Sequence, residues 1–457
     1  MIQDWRMDHP MRQTVYRVAS LLCALVAGVP IGTNLGLVFV LWLLVSGRLL
    51  ETRGAVIPGL SLLGLSEPAV RRAWAAMGQG GWTSAGLLGQ WRVVVEREGC
   101  WQAHVHEGYR PVAVDVTGFW RPRLSECPTS HYDSRAGKAL PAIVVGIVAR
   151  VGSVGDQRLG LPVVLVRADP ADPSAEAHEG ALVKQAVAAA KPGDALVLDR
   201  GFGVRLLQEQ GATAYAARLA KNFTARRVQP PAYKGRGRPA THGEVVRPLA
   251  RSYRGRELEA TPPDRVETWQ EGETVVRAEL WEGLVLPEAA PGRPTFRVVA
   301  IHDPRHGEPL LLASPLAVSP RALRDLYVDR WPVEQLPLAA KQMVGAERQF
   351  VSEPETCQRL PELALLAGSV LSYAAATQPA VPTGFWDRRP QPTPGRLRRV
   401  LAREGFPVDF LFPARIREKA AVTDHLPKGN WGQRRRRKPK PAASGSLSQS
   451  PEVTQAA

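Results

Sequence analysis

Short apolar runs separated by turn residues set the pattern in the middle of the chain. Val112–Thr117, Ala139–Arg150 and Leu161–Arg167 are dense in Val, Leu and Ile and read as strands. Ala175–Ala190 reads as a helix, ended by the stop Lys191-Pro192-Gly193. Asp194–Leu198 is then a fourth strand, Val204–Gln210 a helix and Thr213–Leu219 a fifth strand. Three strands, a helix, then alternating strand and helix predict an α/β core whose first part spans residues 108–221.

On either side the pattern changes. Residues 222–317 are rich in Arg, Pro and Gly, with strand-like runs at Thr274–Leu280, Thr295–Ile301 and Leu310–Ser314. This predicts a β-rich insertion built as a small antiparallel unit. Its run Lys234-Gly235-Arg236-Gly237-Arg238-Pro239 suits a cationic arm lying close to a duplex, or equally a flexible solvated loop. Upstream, no charged residue occurs from Val18 to Gly47, and Leu35–Val45 is almost wholly apolar. A membrane helix is one reading. Gly28, Pro30, Gly32, Thr33 and Asn34 divide the run into pieces too short to span. Arg12 and Arg17 before it are balanced by Arg48 and Arg53 after it. Two buried helices of an N-terminal all-α domain, residues 1–100, are therefore expected. In the same domain Ser66 can cap a helix, Pro68 suits its first turn, and Arg71, Arg72 and Trp74 project from it. That helix is similar to the second helix of a helix-turn-helix. Residues 376–426 read as a C-terminal helical region.

Composition narrows the partners. With 457 residues and 44% hydrophobic positions, the chain can bury a large core and divide into two or three domains. A formal charge of +16 fits a polyanion partner, of which double-stranded DNA is one. Part of the excess is one stretch, Arg434–Arg437 with Lys438 and Lys440, within a tail (427–457) expected to be disordered and basic. Cys23, Cys100, Cys127 and Cys357 form no CxxC pair and no zinc spacing, as in a reducing, cytoplasmic setting. No secretory cleavage site is evident, no membrane partner is expected, and the nine His residues show no metal-ligand spacing.

Three acids carry the candidate chemistry. Asp115 interrupts a buried-strand pattern, and Asp199 ends another just before Gly201 and Gly203. Acids in such places face the crevice where α/β sheets bind ligands, although an Asp opening a tight turn is also common. The third is Glu334, within Tyr327-Val-Asp-Arg-Trp-Pro-Val-Glu-Gln-Leu-Pro-Leu-Ala-Ala-Lys341. Placed on one helix, Arg330, Glu334 and Lys341 fall within about 60°, 20° and 40° of Tyr327. A hydroxyl, two cations and a carboxylate then share one stripe, which suits a site holding metal ions and phosphates together. An amphipathic helix carrying salt bridges is the plainer reading.

The spacing Tyr, two residues, Arg, three residues, Glu, six residues, Lys resembles the Y-R-E-K signature of cut-and-paste DDE transposases from bacterial insertion sequences. Asp199-Arg200-Gly201-Phe202 and Gly345-Ala346-Glu347-Arg348-Gln349 resemble blocks of the same family. The resemblance implies a ribonuclease H-like mixed-sheet core, interrupted by the β-rich insertion and completed by residues 318–375. It also implies that Asp115, Asp199 and Glu334 hold two Mg²⁺ ions, with Mn²⁺ able to substitute. Tyr327, Arg330 and Lys341 would contact DNA phosphates near the cleaved end. The partners would be terminal inverted repeats and target DNA, with a dimer in the synaptic complex on the nucleoid. A DNA-binding protein or nuclease of the same fold without transposition is the alternative. The chain departs from the family in two places. Pro337 lies between Glu334 and Lys341, and Pro309 stands where hairpin-forming members carry a Trp.

Overall fold

The computed structural model describes residues 10–30, 34–233, 235, 240–290, 292–382 and 385–418. Most of the basic run at 234–239 and all of the basic tail lie outside them. The chain is a mixed α/β protein with one large mixed sheet and helices packed on it.

Five strands form the centre: β1 (Arg110–Trp120), β2 (Lys138–Val154), β3 (Gln157–Arg167), β4 (Asp194–Leu198) and β5 (Tyr215–Arg218). Their order in the sheet is β3-β2-β1-β4-β5. β2 runs antiparallel to both β1 and β3, while β1-β4 and β4-β5 are parallel. Each parallel pair requires a crossover, which α5 (Ala175–Ala189) and α6 (Val204–Glu209) supply. Ser174 caps α5 by accepting from the Ala177 amide, so the helix starts where the sequence predicts.

The insertion does not stand apart. Its strands β6 (Thr274–Val285), β7 (Phe296–His302) and β8 (Leu310–Ser314) are antiparallel, as expected. They continue the same sheet, because β8 pairs with β5 at Leu312–Arg218 and Ala313–Ala217. Pairing across that seam satisfies an edge that β5 would otherwise expose.

Side-chain alternation along β1 assigns its two faces. Val112 and Val114 pack under α5 and α6, whereas Ala113 and Phe119 join a second core on the opposite face. That second core contains α1 (Pro10–Ala27), α2 (Asn34–Val45), α3 (Glu67–Gln79), α4 (Ser84–Glu98) and a long central helix, α9 (Pro354–Thr377). The N-terminal helices and the sheet thus share one core. Among the described residues, α9 alone is long and apolar enough to cross a membrane, and 83% of its apolar stretch is buried in the protein. The uncharged run near the N-terminus becomes two helices, of which α2 has only 12 residues. Arg71 and Arg72 on α3 are exposed, with Trp74 half-buried.

Candidate active site

The site lies where β1 and β4 run side by side. Val114 is in register with Leu198, so the residues that follow, Asp115 and Asp199, come from neighbouring positions on two parallel strands. Asp115 shares its face of β1 with Ala113, Thr117 and Phe119, the side covered by the helices. Asp199 sits one residue beyond β4, before the tight turn that leads into α6.

The segment carrying the third acid differs from expectation. It is not one helix but two, α7 (Pro320–Val328) and α8 (Trp331–Leu338), followed by a wide π turn at Ala339–Met343. Ser319 and Pro320 start α7, with the Ser319 hydroxyl accepting from the Ala322 amide. At Asp329 the backbone flattens to ψ −1°, and Arg330 N bonds back only three residues to Tyr327 O. Pro332 has no amide to carry the ladder through this point, so the helix restarts. Pro337 removes a second donor inside α8, and the ladder widens just beyond it: Val344 N reaches Ala339 O, five residues back, at 2.9 Å.

Despite these interruptions Tyr327, Arg330 and Glu334 form one run of contacts, and Lys341 reaches β1 separately. The Tyr327 hydroxyl donates to Asp199 Oδ1 at 3.2 Å, and Arg218 Nη1 lies 3.7 Å from the same oxygen. Arg330 pairs with Glu334, and its guanidinium lies 5.9 Å from the centre of the Tyr327 ring. Lys341 Nζ donates to Thr117 Oγ1 at 2.8 Å, two residues along β1 from Asp115, and lies 5.3 Å from the Phe119 ring centre. Gly345 closes the segment at φ +95°, where a Cβ would meet Leu50 Cγ and N at 2.7 and 2.8 Å.

The electrostatics are those of crowded carboxylates beside Arg330, Arg218 and Lys341. Burial pushes Asp115 up to about 6; Arg330 and the Val116 amide oppose this, while Glu334 and Asp199 add to it. Burial also raises Tyr327 and lowers Lys341, with Asp199 adding to the first shift and Glu347 and Asp115 opposing the second. Burial works against the charge of Arg330, but Asp199, Tyr327 and Glu334 outweigh it and hold its pKa above the usual value. The site is open: the side chains of Asp199 and Glu334 are 42% and 40% exposed. At the C-terminal end of β1, from Trp120 onward, a cavity of about 600 Å³ is lined by Arg121, Arg123, Arg348 and the exposed Phe350.

Two features went unseen in the sequence. Arg218 and Thr117 join the site only through strand pairing. The expectation that no His has metal-ligand spacing did not reach residues distant in the chain: His104 and His106, at i and i+2, lie close to Asp329 in a group that could hold a metal ion. That spacing was itself the available signal. Trp281 of the insertion is fully buried and donates to the Thr261 and Pro262 carbonyls, so it is a core residue. No family model matches the chain, and no curated protein matches it.

Proposed function

We propose that this protein is a DNA transposase that cuts and joins phosphodiester bonds through Asp115, Asp199 and Glu334. The observation that carries the reading is the convergence of these acids with Tyr327, Arg330 and Lys341 where the middle of β1 meets the end of the parallel strand β4. Strand order β3-β2-β1-β4-β5, with β2 antiparallel, supports a ribonuclease H-like core. The open site and the formal charge of +16 suit a duplex better than a small ester.

The donor set fits divalent cations. Three carboxylates gather beside Arg330 and Arg218, and Asp115, raised first by burial and further by Glu334 and Asp199, is a ligand whose charged form a cation would favour. Asp115, Asp199 and Glu334 would hold two Mg²⁺ ions, with Mn²⁺ able to substitute. Bound there, the ions would supply the Lewis acidity that activates an attacking hydroxyl and offsets charge on the departing oxygen. The remaining work belongs to side chains. Tyr327 orients Asp199 through its hydroxyl. Arg330, braced by Glu334 and the Tyr327 ring, presents a planar cation to a phosphate. Lys341, aimed by Thr117, adds a second positive charge on the Asp115 side. No covalent enzyme intermediate is needed, so one site can serve hydrolysis and then strand transfer.

The test is to incubate the purified protein with DNA carrying its own flanking ends and Mg²⁺, beside Glu334→Gln. Nicks bearing 3′-hydroxyls at the element boundary are expected from the wild type alone. Cleavage by the Gln variant at near wild-type rate would refute the assignment. Binding without cutting in Mg²⁺ or Mn²⁺ would favour a DNA-binding protein of the same fold.

A further inference from the structure

We propose that His104, His106 and Asp329 form a second metal site, distinct from the carboxylates, for one transition-metal ion such as Zn²⁺. His104 Nδ1 and His106 Nε2 approach the same oxygen, Asp329 Oδ2, at 2.8 and 2.7 Å. All three ligand atoms lie within 4.8 Å of one another. A tetrahedral ion with bonds of about 2.0–2.1 Å separates its ligand atoms by roughly 3.3 Å, so occupancy requires each nitrogen to move out from Asp329 Oδ2 by about half an ångström and the two nitrogens to take up that same spacing from each other.

Independent elements hold the three groups. The His104 amide donates to Val151 O at 3.1 Å, anchoring it against β2. His106 is fixed by paired backbone bonds with Tyr109 at 2.8 and 3.0 Å. Asp329 caps the end of α7, at the break before Arg330. The free nitrogen of His104 lies 2.6 Å from Ser153 Oγ, a contact that fixes the ring with Nδ1 toward Asp329. The Asp329 side chain is only 6% exposed and each imidazole 22%, leaving the imidazole side open to solvent.

Ligand chemistry separates this site from the first. Two imidazoles and one carboxylate suit Zn²⁺ and its borderline neighbours, whereas an all-carboxylate set suits Mg²⁺. Three protein ligands leave a fourth position for water. The plainer alternative is that both rings simply hydrogen-bond to Asp329, with Arg158 3.7 Å from its other oxygen. An ion would fasten the segment before β1 to the helix break, and so fix where α8 and Arg330 begin. This inference does not depend on the transposase reading, since its readout is metal binding.

The experiment titrates Co²⁺, as a spectroscopic probe, into the full chain carrying Asp115→Asn and Glu334→Gln, which removes the first site as a competitor. One equivalent should bind with the visible absorption of a tetrahedral N/O complex, displaced by Zn²⁺. His106→Ala, or His106→Gln if Ala fails to fold by circular dichroism, should lose it, as should Asp329→Asn. Zn²⁺ should raise the melting temperature of the parent and not of the His106 variants. An absent cobalt spectrum, or one undiminished in folded His106 and Asp329 variants, would overturn the proposal.

Discussion

Lys341 Nζ lies 2.8 Å from Thr117 Oγ1, so a lysine beyond a helix-interior proline still faces the strand that carries Asp115. Burial lowers the pKa of this lysine, yet its ammonium keeps a hydroxyl partner and lies over the Phe119 ring. Replacing Lys341 by Ala should slow single-turnover DNA cleavage by about 10- to 100-fold, as loss of one positive group facing a developing charge does. Binding of the DNA end should weaken less. Unchanged cleavage would remove Lys341 from the site.

Asp115 sets a pH dependence whose sign is opposite to that of a salt-bridged acid. Its folded pKa, about 6, lies above the unfolded value near 3.8, so the folded state binds the extra proton. The stability tied to that proton is complete below about pH 4 and is lost as pH rises through 6. In EDTA at pH 7.5, Asp115→Asn should therefore be more stable than wild type by about 1–2 kcal/mol, allowing for partial exposure. The gain should vanish at pH 4. Thermal melts at the two pH values decide it, and a destabilised Asn variant at pH 7.5 would contradict the account.

Asp194 offers the contrast. It opens β4, the strand just before Asp199, is 1% exposed, and is held by Arg110 Nε and Arg150 Nη2, each at 2.8 Å. Asp194→Ala leaves two partly buried arginines unpaired and should cost about 3–5 kcal/mol by urea unfolding. The folded fraction should cut DNA at the parental rate. A loss of cleavage without loss of stability would mean that Asp194 acts in the chemistry.

Trp331 begins α8 directly after Arg330 and is 56% exposed. On the proposed reading, a large aromatic left in solvent beside Arg330 suits stacking on an unpaired base, worth about 1–3 kcal/mol. Trp331→Ala should weaken binding to a frayed DNA end by about 10-fold while leaving the melting temperature within a few degrees. Equal affinity of the two proteins by fluorescence anisotropy would exclude the contact.

Much of the centre of this fold was legible because its strands are buried runs with sharp turn signals. Asp194–Leu198 matches the predicted bounds, and α5 ends one residue before the predicted Ala190. The placing of Asp115 and Asp199 on or just after buried strands was legible because a charge in or at the end of an apolar run is locally conspicuous. What failed was long-range. The break at Asp329 turns on one backbone angle that no side-chain pattern encodes, although Pro332 marks the restart of the helix. The continuity of the sheet rests on Leu312 meeting Arg218, a pairing that no local pattern encodes. Likewise His104 and Asp329 are 225 positions apart, so a ligand search confined to neighbouring residues finds only half a cluster.

The exposure of Asp199 and Glu334 has a consequence for selectivity. A walled cleft expels water by itself, whereas an open ledge leaves that task to whatever lies across it. On the proposed reading the DNA is its own lid: only a polymer long enough to span from α8 to the far edge of β4 would dry the reacting phosphate. Short phosphodiesters would then be poor substrates even though every catalytic side chain is present, and the length of the DNA, rather than a shaped pocket, would act as the gatekeeper of the reaction.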